Sequence, residues 1–167
     1  MSEPTNAIPA PALAKDTWEP VRVRVVRLPH GADLPLPEYE TEGAAGLDVR
    51  AALAHPVTLL PGQILRVPTG LAIEVPQGYE VQLRPRSGLA MKFGVSLPNT
   101  PATIDSDYRG EIVVGLIHHG TEPVTIERGM RIAQMVLARV PRLEWQPVDA
   151  LEPSGRGTGG FGHTGTR

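Results

Sequence analysis

The 167-residue sequence contains no cysteine, few aromatic residues and no strong excess of either charge. The lack of cysteine excludes disulfides, thiolate metal sites and cysteine nucleophiles. With a net charge of -2 and 4% aromatic residues, we expect no stable nucleic acid partner. The apolar runs are far shorter than the roughly 18 residues of a membrane-spanning helix, and no secretory signal opens the chain. These absences predict a cytoplasmic protein that does not associate with membranes.

What the chain has in quantity is proline and glycine, 18 of each. Short β-rich runs alternate with turn residues, a pattern typical of a sandwich or barrel. We expect the first strand to be half-buried because it alternates with period two, and the strand at 112–117 to be buried on both faces because it is nearly all apolar. The predicted strands are 21–25, 57–60, 64–67, 71–75, 79–83, 112–117 and 131–140.

Two local predictions accompany these strands. Pro68-Thr69-Gly70 indicates a turn between two of them. The only helix that we predict is a short one from Ser87 to Lys92, with Ser87 as its N-cap.

Composition divides the chain into three parts. Residues 1–19 are rich in Ala, Pro and polar side chains and predict a flexible extension, residues 20–148 predict one β domain, and residues 149–167 form a glycine-rich arm. Composition alone favours a disordered terminus for the arm. One Arg and one Phe at fixed places among the glycines instead indicate a segment that orders around a ligand.

Two short motifs are ambiguous when each is taken alone. Pro85 to Ala90 places an arginine and a hydroxyl at a helix start, which indicates either a phosphate site or an ordinary cap. Ile104 to Glu111 concentrates acids beside an Arg-Gly turn, which indicates either a solvated hairpin tip or a catalytic carboxylate. The adjacent His118 and His119 would point to opposite sides of a strand, so we interpret them as surface or core residues.

The combination of motifs is far more specific than any one of them. In order and spacing, the chain from about residue 21 to 167 resembles the trimeric dUTPases, whose five sequence motifs it matches at Ala45-Gly46-Leu47-Asp48, Pro85 to Ala90, Ile104 to Gly110, Arg131-Ile132-Ala133-Gln134 and Arg156 to Gly165. The resemblance implies an all-β, jelly-roll-like distorted β-barrel with one short helix. It also implies a homotrimer with shared active sites, in which the flexible C-terminal arm of one subunit closes over a site formed by the other two.

The activity that the resemblance implies is Mg2+-dependent hydrolysis of dUTP to dUMP and pyrophosphate by water attack on the α-phosphate. This reaction limits uracil in DNA and supplies dUMP for thymidylate synthesis. Asp105 matches the catalytic acid that deprotonates the water, and Asp48 matches the acid that helps fix Mg2+ through bound water. Tyr108 matches the residue packed under the deoxyribose, where its bulk leaves no room for a 2′-hydroxyl, and Asn99 matches a uracil contact in a base-reading hairpin.

The remaining substrate-binding positions fall in the phosphate motifs and in the arm. Arg156 matches the arginine that reaches the γ-phosphate, and Phe161 matches the aromatic residue that stacks on uracil. The full set is Arg86, Ser87, Gly88, Gln134, Arg156, Gly159, Gly160, Phe161, His163 and Thr164.

Three departures from the family pattern bear on rate or specificity. Ala102 stands where the family nearly always has glycine, His163 replaces a usual serine, and His118 stands where asparagine is common. The methyl of Ala102 is expected to crowd the base-reading hairpin.

Two alternatives remain open. The first is a dCTP deaminase, which shares the fold but needs a catalytic glutamate in the strand after the acidic motif, where this chain has Gly115. The second is a non-catalytic nucleotide-binding module of the same fold.

Overall fold

The computed structural model describes residues 19–160, so Glu19 is the only residue of the expected N-terminal extension that it covers. Phe161, His163 and Thr164 of the arm also lie outside the described residues. The described part is all-β with one α-helix, as expected. Its elements are β1 (Arg24–Arg27), a 3-10 turn (Pro29–Gly31), β2 (Leu47–Arg50), β3 (Val57–Leu59), β4 (Ile64–Glu74), β5 (Tyr79–Arg84), α1 (Ser87–Phe93), β6 (Val95–Ser96), β7 (Ala102–Ile104), β8 (Glu111–His118), β9 (Val124–Ile126) and β10 (Arg131–Arg139).

The strands form antiparallel sheets. One sheet has the order β1-β4-β8-β6, a second has the order β2-β10-β5-β7, and β3 pairs with β9. Alternate residues of the two larger sheets face one apolar core, which includes Val67 and Val114 from the first sheet and Leu83 and Ile132 from the second. This arrangement is the jelly-roll-like barrel that the sequence predicts. None of the helices in the described part is long and apolar enough to cross a membrane.

The predicted turn at Pro68-Thr69-Gly70 is wrong, because β4 runs through it as one strand. The pairing with β8 shifts register between Pro68 and Ala72, which marks a β-bulge. Gly70 supplies the positive φ of 69° in this bulge. The Thr69 hydroxyl donates to the Ile112 carbonyl at 2.6 Å, so the irregular backbone is still tied to β8.

The burial of two predicted strands also differs from expectation. All four residues of β1 are exposed, although Val21 and Val23 just before it are half-buried. Along β8, buried residues alternate with half-exposed ones instead of being buried on both faces. Within one chain the core covers only one face of this antiparallel sheet, so the outer apolar residues remain accessible.

The segment from Ile104 to Glu111 is not a hairpin. Strand β7 pairs with β5 in one sheet, whereas β8 pairs with β4 and β6 in the other. The segment therefore carries the chain from one sheet to the other. Nor do β6 and β7 pair with each other, so the expected base-reading hairpin around Asn99 is a connection between the sheets.

The N-cap of helix α1 lies one residue earlier than predicted. Arg86 occupies the N-cap with extended backbone and no side-chain cap hydrogen bond, and Ser87 is the first helical residue. The prediction of Ser87 as N-cap is wrong because the extended backbone ends at Arg86 and Ser87 is already helical. The side chain of Arg86 donates to Asp48 and does not cap the helix. The helix ends at Gly94, whose φ of 69° suits a glycine C-cap.

Candidate active site

Three of the five motifs meet at an ion-pair network that we call the arginine cluster, comprising Glu40, Asp48, Arg86 and Arg131. Arg86 Nε lies 2.9 Å from Asp48 Oδ1, and Arg131 Nη1 lies 3.1 Å from Asp48 Oδ2. Arg86 Nη1 also donates to the Arg131 carbonyl at 3.2 Å. The cluster forms because β10 pairs with both β2 and β5, which bring Asp48 and Arg86 to the two sides of Arg131.

Glu40 completes the cluster from the loop before β2. Its Oε1 lies 2.8 Å from Arg131 Nη1. The Glu40 hydrogen bond, followed by the negative charges of Glu40 and Asp48, raises the pKa of the Arg131 guanidinium above its ordinary value. Glu40 and Asp48 therefore both hold the side chain of Arg131, and Asp48 also holds that of Arg86.

The same three motifs also meet at a second set of contacts, made by Gly46, Gln134 and Pro85. A Cβ on Gly46 would lie 2.8 Å from Gln134 Oε1 and 3.2 Å from Gln134 Cβ, so glycine is needed for the glutamine to lie against β2. Gln134 Nε2 in turn donates to the Pro85 carbonyl at 3.4 Å. Two of the predicted phosphate-binding side chains, Arg86 and Gln134, are thus positioned by contacts within a single chain.

The predicted phosphate residues Ser87 and Gly88 form the exposed first turn of α1. A Cβ on Gly88 would meet nothing within 4 Å, so packing within the chain does not require this glycine. The first N–H groups of any α-helix have no acceptor within that helix, and they attract anions. The first turn of α1 is therefore open to a phosphate beside Arg86.

The predicted catalytic acid lies on a second feature, the acid loop of residues 105–110. Asp105 is exposed, and its carbonyl accepts the Tyr108 N–H at 3.2 Å. The Tyr108 ring lies over Gly110, where an added Cβ would come within 2.7 Å of Tyr108 Cζ, and its hydroxyl donates to the Glu111 carbonyl at 2.9 Å. The turn thus presents Asp105 to solvent and holds the tyrosine ring across the loop.

The acid loop and the arginine cluster do not meet within one chain. Ile104 lies opposite Val81 on β5, and Gln134 lies opposite Arg84. The positions of Val81 and Arg84 are three residues of extended strand apart, or about 10 Å. Because β5 and β7 are antiparallel, the chain moves further from Arg84 as it passes from Ile104 to Asp105. The carboxylate of Asp105 therefore cannot share a phosphate with Arg86 of its own chain.

Other positions that the sequence singled out lie around these two features. Asn99 is exposed in the connection between β6 and β7, and Gly115 lies on the outer face of β8, facing Pro98. Ala102 pairs with Leu83 and packs against the core. His118 is buried: its Nδ1 accepts the Gly120 N–H at 3.1 Å, so the Nε2 that lies 2.7 Å from the Glu122 carbonyl is the protonated nitrogen.

The described part of the arm contains Arg156, Gly159 and Gly160. Arg156 is exposed, and its Nε donates to the Gly159 carbonyl at 2.7 Å within a local turn. No hydrogen bond or ion pair joins this turn to the barrel within residues 19–160. In the described part of the arm, Arg156 is thus exposed and makes no hydrogen bond or ion pair with the arginine cluster or the acid loop of its own chain.

Comparison with known proteins agrees with the motif pattern. The dUTPase family model matches residues 32–165. The chain belongs to the dUTPase family. It is 56% identical over 149 residues to the deoxyuridine 5'-triphosphate nucleotidohydrolase of Methylocella silvestris, a match that covers 88% of this chain and 93% of the relative. It is 59% identical over 147 residues to the protein of the same name from an Anaeromyxobacter species, with 87% and 99% of the two chains covered.

Solved structures of dUTPases share this fold. A variant of the dUTPase of Staphylococcus bacteriophage 80alpha, in complex with dUpNHpp, superimposes with a TM-score of 0.76 at 25% identity, covering 87% of this chain and 99% of that one. A variant dUTPase of phage phi11 of S. aureus, described with a structural Mg(II) ion, superimposes with a TM-score of 0.69 at 21% identity, covering 79% and 99%. The curated relatives are named as nucleotidohydrolases, which does not favour the deaminase alternative.

Two members of the arginine cluster were missed as site residues by sequence reasoning. Arg131 stands first in the fourth motif, and its place there was a signal that its side chain belongs to the site. Glu40 lies outside every motif, and no sequence signal connects it to Arg131. Only the folding of its loop against β10 brings their side chains together.

Proposed function

We propose that this protein hydrolyses dUTP to dUMP and pyrophosphate by attack of water on the α-phosphorus. The observation that carries the proposal is the arginine cluster, in which three motifs of a dUTPase-family chain converge beside an open helix start. A triphosphate is highly charged, so its hydrolysis depends mainly on oriented positive charge. Arg86 supplies this charge in an orientation that Asp48 already holds, so little reorganisation accompanies binding.

Asp105 is the general base of the proposed reaction. Its carboxylate takes one proton from the attacking water while the water oxygen bonds to the α-phosphorus and the bond to the leaving pyrophosphate breaks. The exposure of Asp105 leaves its carboxylate free for a water and a substrate. Tyr108, held across the same loop, packs under the deoxyribose and excludes a ribose hydroxyl.

The active site is shared between subunits in this proposal. Since Asp105 cannot reach Arg86 of its own chain, a second chain must bring the acid loop to the arginine cluster. The half-exposed apolar residues on the outer face of β8, Val113 and Ile117, offer a surface for subunit contact. A homotrimer satisfies both requirements, with the acid loop of one subunit, the cluster of a second and the arm of a third forming each site.

The residues present fit Mg2+ when most of its ligands come from substrate and water. Magnesium in phosphate sites keeps several waters and uses one or two carboxylates together with phosphate oxygens. Within residues 19–160 no group of three or more His, Asp or Glu side chains is arranged to hold a metal alone. Asp48 is the candidate carboxylate, and because both its oxygens already contact arginines, it would act through bound water. The bound ion would neutralise phosphate charge and orient the triphosphate.

The arm completes the proposed site. Arg156 would exchange its contact with the Gly159 carbonyl for the γ-phosphate, and Gly159 and Gly160 would let the backbone approach the substrate closely. Phe161, His163 and Thr164 belong to the same segment, where the family resemblance assigns uracil stacking and phosphate contacts. Closure of this segment excludes bulk water from the reacting phosphate.

A product assay tests the reaction. The pure protein is incubated with Mg2+ and, separately, with dUTP, dCTP, dTTP and UTP, and the products are separated. We expect dUMP and pyrophosphate from dUTP only. Release of ammonia from dCTP would identify a deaminase instead, and no product from any nucleotide would support a binding module.

Subunit complementation tests the shared site. Arg86→Gln and Asp105→Asn chains are each expected to be nearly inactive, but subunits of the two kinds, unfolded and refolded together, form some sites with both residues intact. With random mixing, about a quarter of the sites combine an intact Arg86 from one chain with an intact Asp105 from another. Activity near that fraction supports sharing. Activity no higher than that of the separate variants would contradict it.

A further inference from the structure

The carboxylate of Glu111 is fixed at the point where the acid loop enters β8. Its Oε1 accepts the Gly70 N–H at 2.7 Å and lies 2.8 Å from His30 Nε2. The side chain is 23% exposed, so most of it is removed from water. A carboxylate that accepts a backbone N–H forms a charge-assisted hydrogen bond, which is stronger than a neutral one.

Both partners of Glu111 are themselves held rigidly. Gly31 packs directly on the β4 bulge, because a Cβ added to Gly31 would come within 2.6 Å of Gly70 Cα. The Leu28 N–H donates to the Gly70 carbonyl at 2.8 Å. Arg128 Nη2 donates to the His30 carbonyl at 2.8 Å. The carboxylate of Glu111 is therefore bonded to backbone and side-chain groups that are tied in turn to Leu28, just after β1, and to Arg128 in the loop before β10.

The backbone of the same residue holds Tyr108. The Tyr108 hydroxyl donates to the Glu111 carbonyl, and the ring lies on Gly110 with no room for a side chain between them. A shift of Glu111 would move this carbonyl and hence the tyrosine ring. Because Tyr108 N–H also closes the turn on the Asp105 carbonyl, the general base would move with it.

We propose that Glu111, clamped by Gly70 and His30, is a positioning residue that sets the placement of Tyr108 and through it the preference for deoxyribose over ribose. The proposal rests on the proposed dUTP hydrolysis. The side chain of Glu111 touches no substrate atom in this role, and it acts by fixing the carbonyl to which Tyr108 bonds. Sugar selection thus depends on a contact between Glu111, at the start of β8, and the β4 bulge.

The test compares kcat/KM for dUTP with kcat/KM for UTP. Glu111→Ala removes the clamp, and we expect the ratio of the two constants to fall about tenfold or more, since small misplacements of site groups have effects of this size. Glu111→Gln keeps an oxygen that can accept the Gly70 N–H, so it should retain the ratio to within about threefold. His30→Ala removes one of the two partners and should lower the ratio by an intermediate factor.

Glu127→Ala is the matched control, because Glu127 is an exposed glutamate at the end of β9 and its loss changes the net charge equally. Its ratio should equal that of the native enzyme. If Glu111→Ala does not fold, His30→Ala together with Glu111→Gln still decides the question.

An unchanged ratio in Glu111→Ala, or in His30→Ala if the first variant does not fold, would overturn the proposal. If activity toward both nucleotides fell equally at that constant ratio, the clamp would have a purely structural role. A native protein with no activity on dUTP would instead refute the proposed function itself, so the two failures are distinguishable.

Discussion

The arginine cluster and the acid loop differ in how many contacts within one chain fix their charged side chains. In the cluster, Arg86 and Arg131 are each held by a carboxylate from another part of the same chain, and Asp48 is only 13% exposed. In the acid loop, Asp105 is exposed, and its side chain makes no hydrogen bond or ion pair within residues 19–160. The fold of one chain therefore preorganises the arginine cluster, whereas it leaves the carboxylate of Asp105 exposed to solvent.

In the proposed reaction, this contrast separates the residues that bind phosphate from the residue that acts as general base. Charged groups that bind phosphate benefit from being fixed before substrate arrives, because no reorganisation is then needed. A general base must instead remain free to contact a water and a phosphorus atom. The two lie beyond the ends of different strands of one sheet and stay apart in each chain, so the proposed reaction requires a second subunit.

The largest expected effect comes from Asp105→Asn. The amide cannot accept the proton of the attacking water, so kcat should fall by about 10²- to 10⁴-fold. Binding of dUpNHpp, measured by calorimetry, should change little because the arginine cluster is intact. Asp107→Asn is the control, since it lies on the same exposed loop. Near-normal turnover in Asp105→Asn would show that the base lies elsewhere.

Truncation after Pro153 should have the next largest effect. It removes Arg156 and the glycines that follow, so kcat/KM should fall by at least about 10²-fold, as for the loss of an oriented donor. The mass of the proposed trimer, measured by light scattering, should be kept, apart from that of the lost residues, because the barrel is unchanged. Truncation after Gly165 keeps the motif and should retain activity. A fully active enzyme lacking residues 154–167 would refute arm closure.

The smallest effect should be on stability, from changes within the cluster. Asp48→Asn leaves two arginines without their shared carboxylate, and we expect the free energy of unfolding to fall by about 1–3 kcal/mol. Glu40 is 55% exposed, so Glu40→Gln should cost less than about 1 kcal/mol. Urea unfolding at one fixed protein concentration measures the change in the free energy of unfolding for both variants. Equal effects would mean that burial does not distinguish the two ion pairs.

Strands were predictable where turn residues bound a short apolar run. Val57–Leu59, Tyr79–Arg84 and Arg131–Arg139 lie close to their predicted limits. The turn expected at Pro68 to Gly70 was wrong, since proline and glycine signal a bulge as readily as a turn. Local sequence does not distinguish the two, because the choice depends on whether another strand, here β8, pairs with both sides.

Burial was predictable only in part. The alternation along β8 identifies the core-facing residues, but its outer face is half-exposed in a single chain despite being apolar. An apolar stretch predicts that its side chains are buried. It does not predict whether they are buried by the same chain or by another subunit.

By itself the sequence determined the family, the all-β class and the identity of the motifs, because these depend on residue types and their order along the chain. Only the tertiary structure decided which motifs lie close together within one chain. It placed Asp48 and Arg131 on paired strands with Arg86 just beyond the end of β5, kept Asp105 away from them, and attached Glu111 to Gly70 and His30. These contacts join residues far apart in the chain, and their geometry follows from strand register and sheet order, which no local pattern encodes.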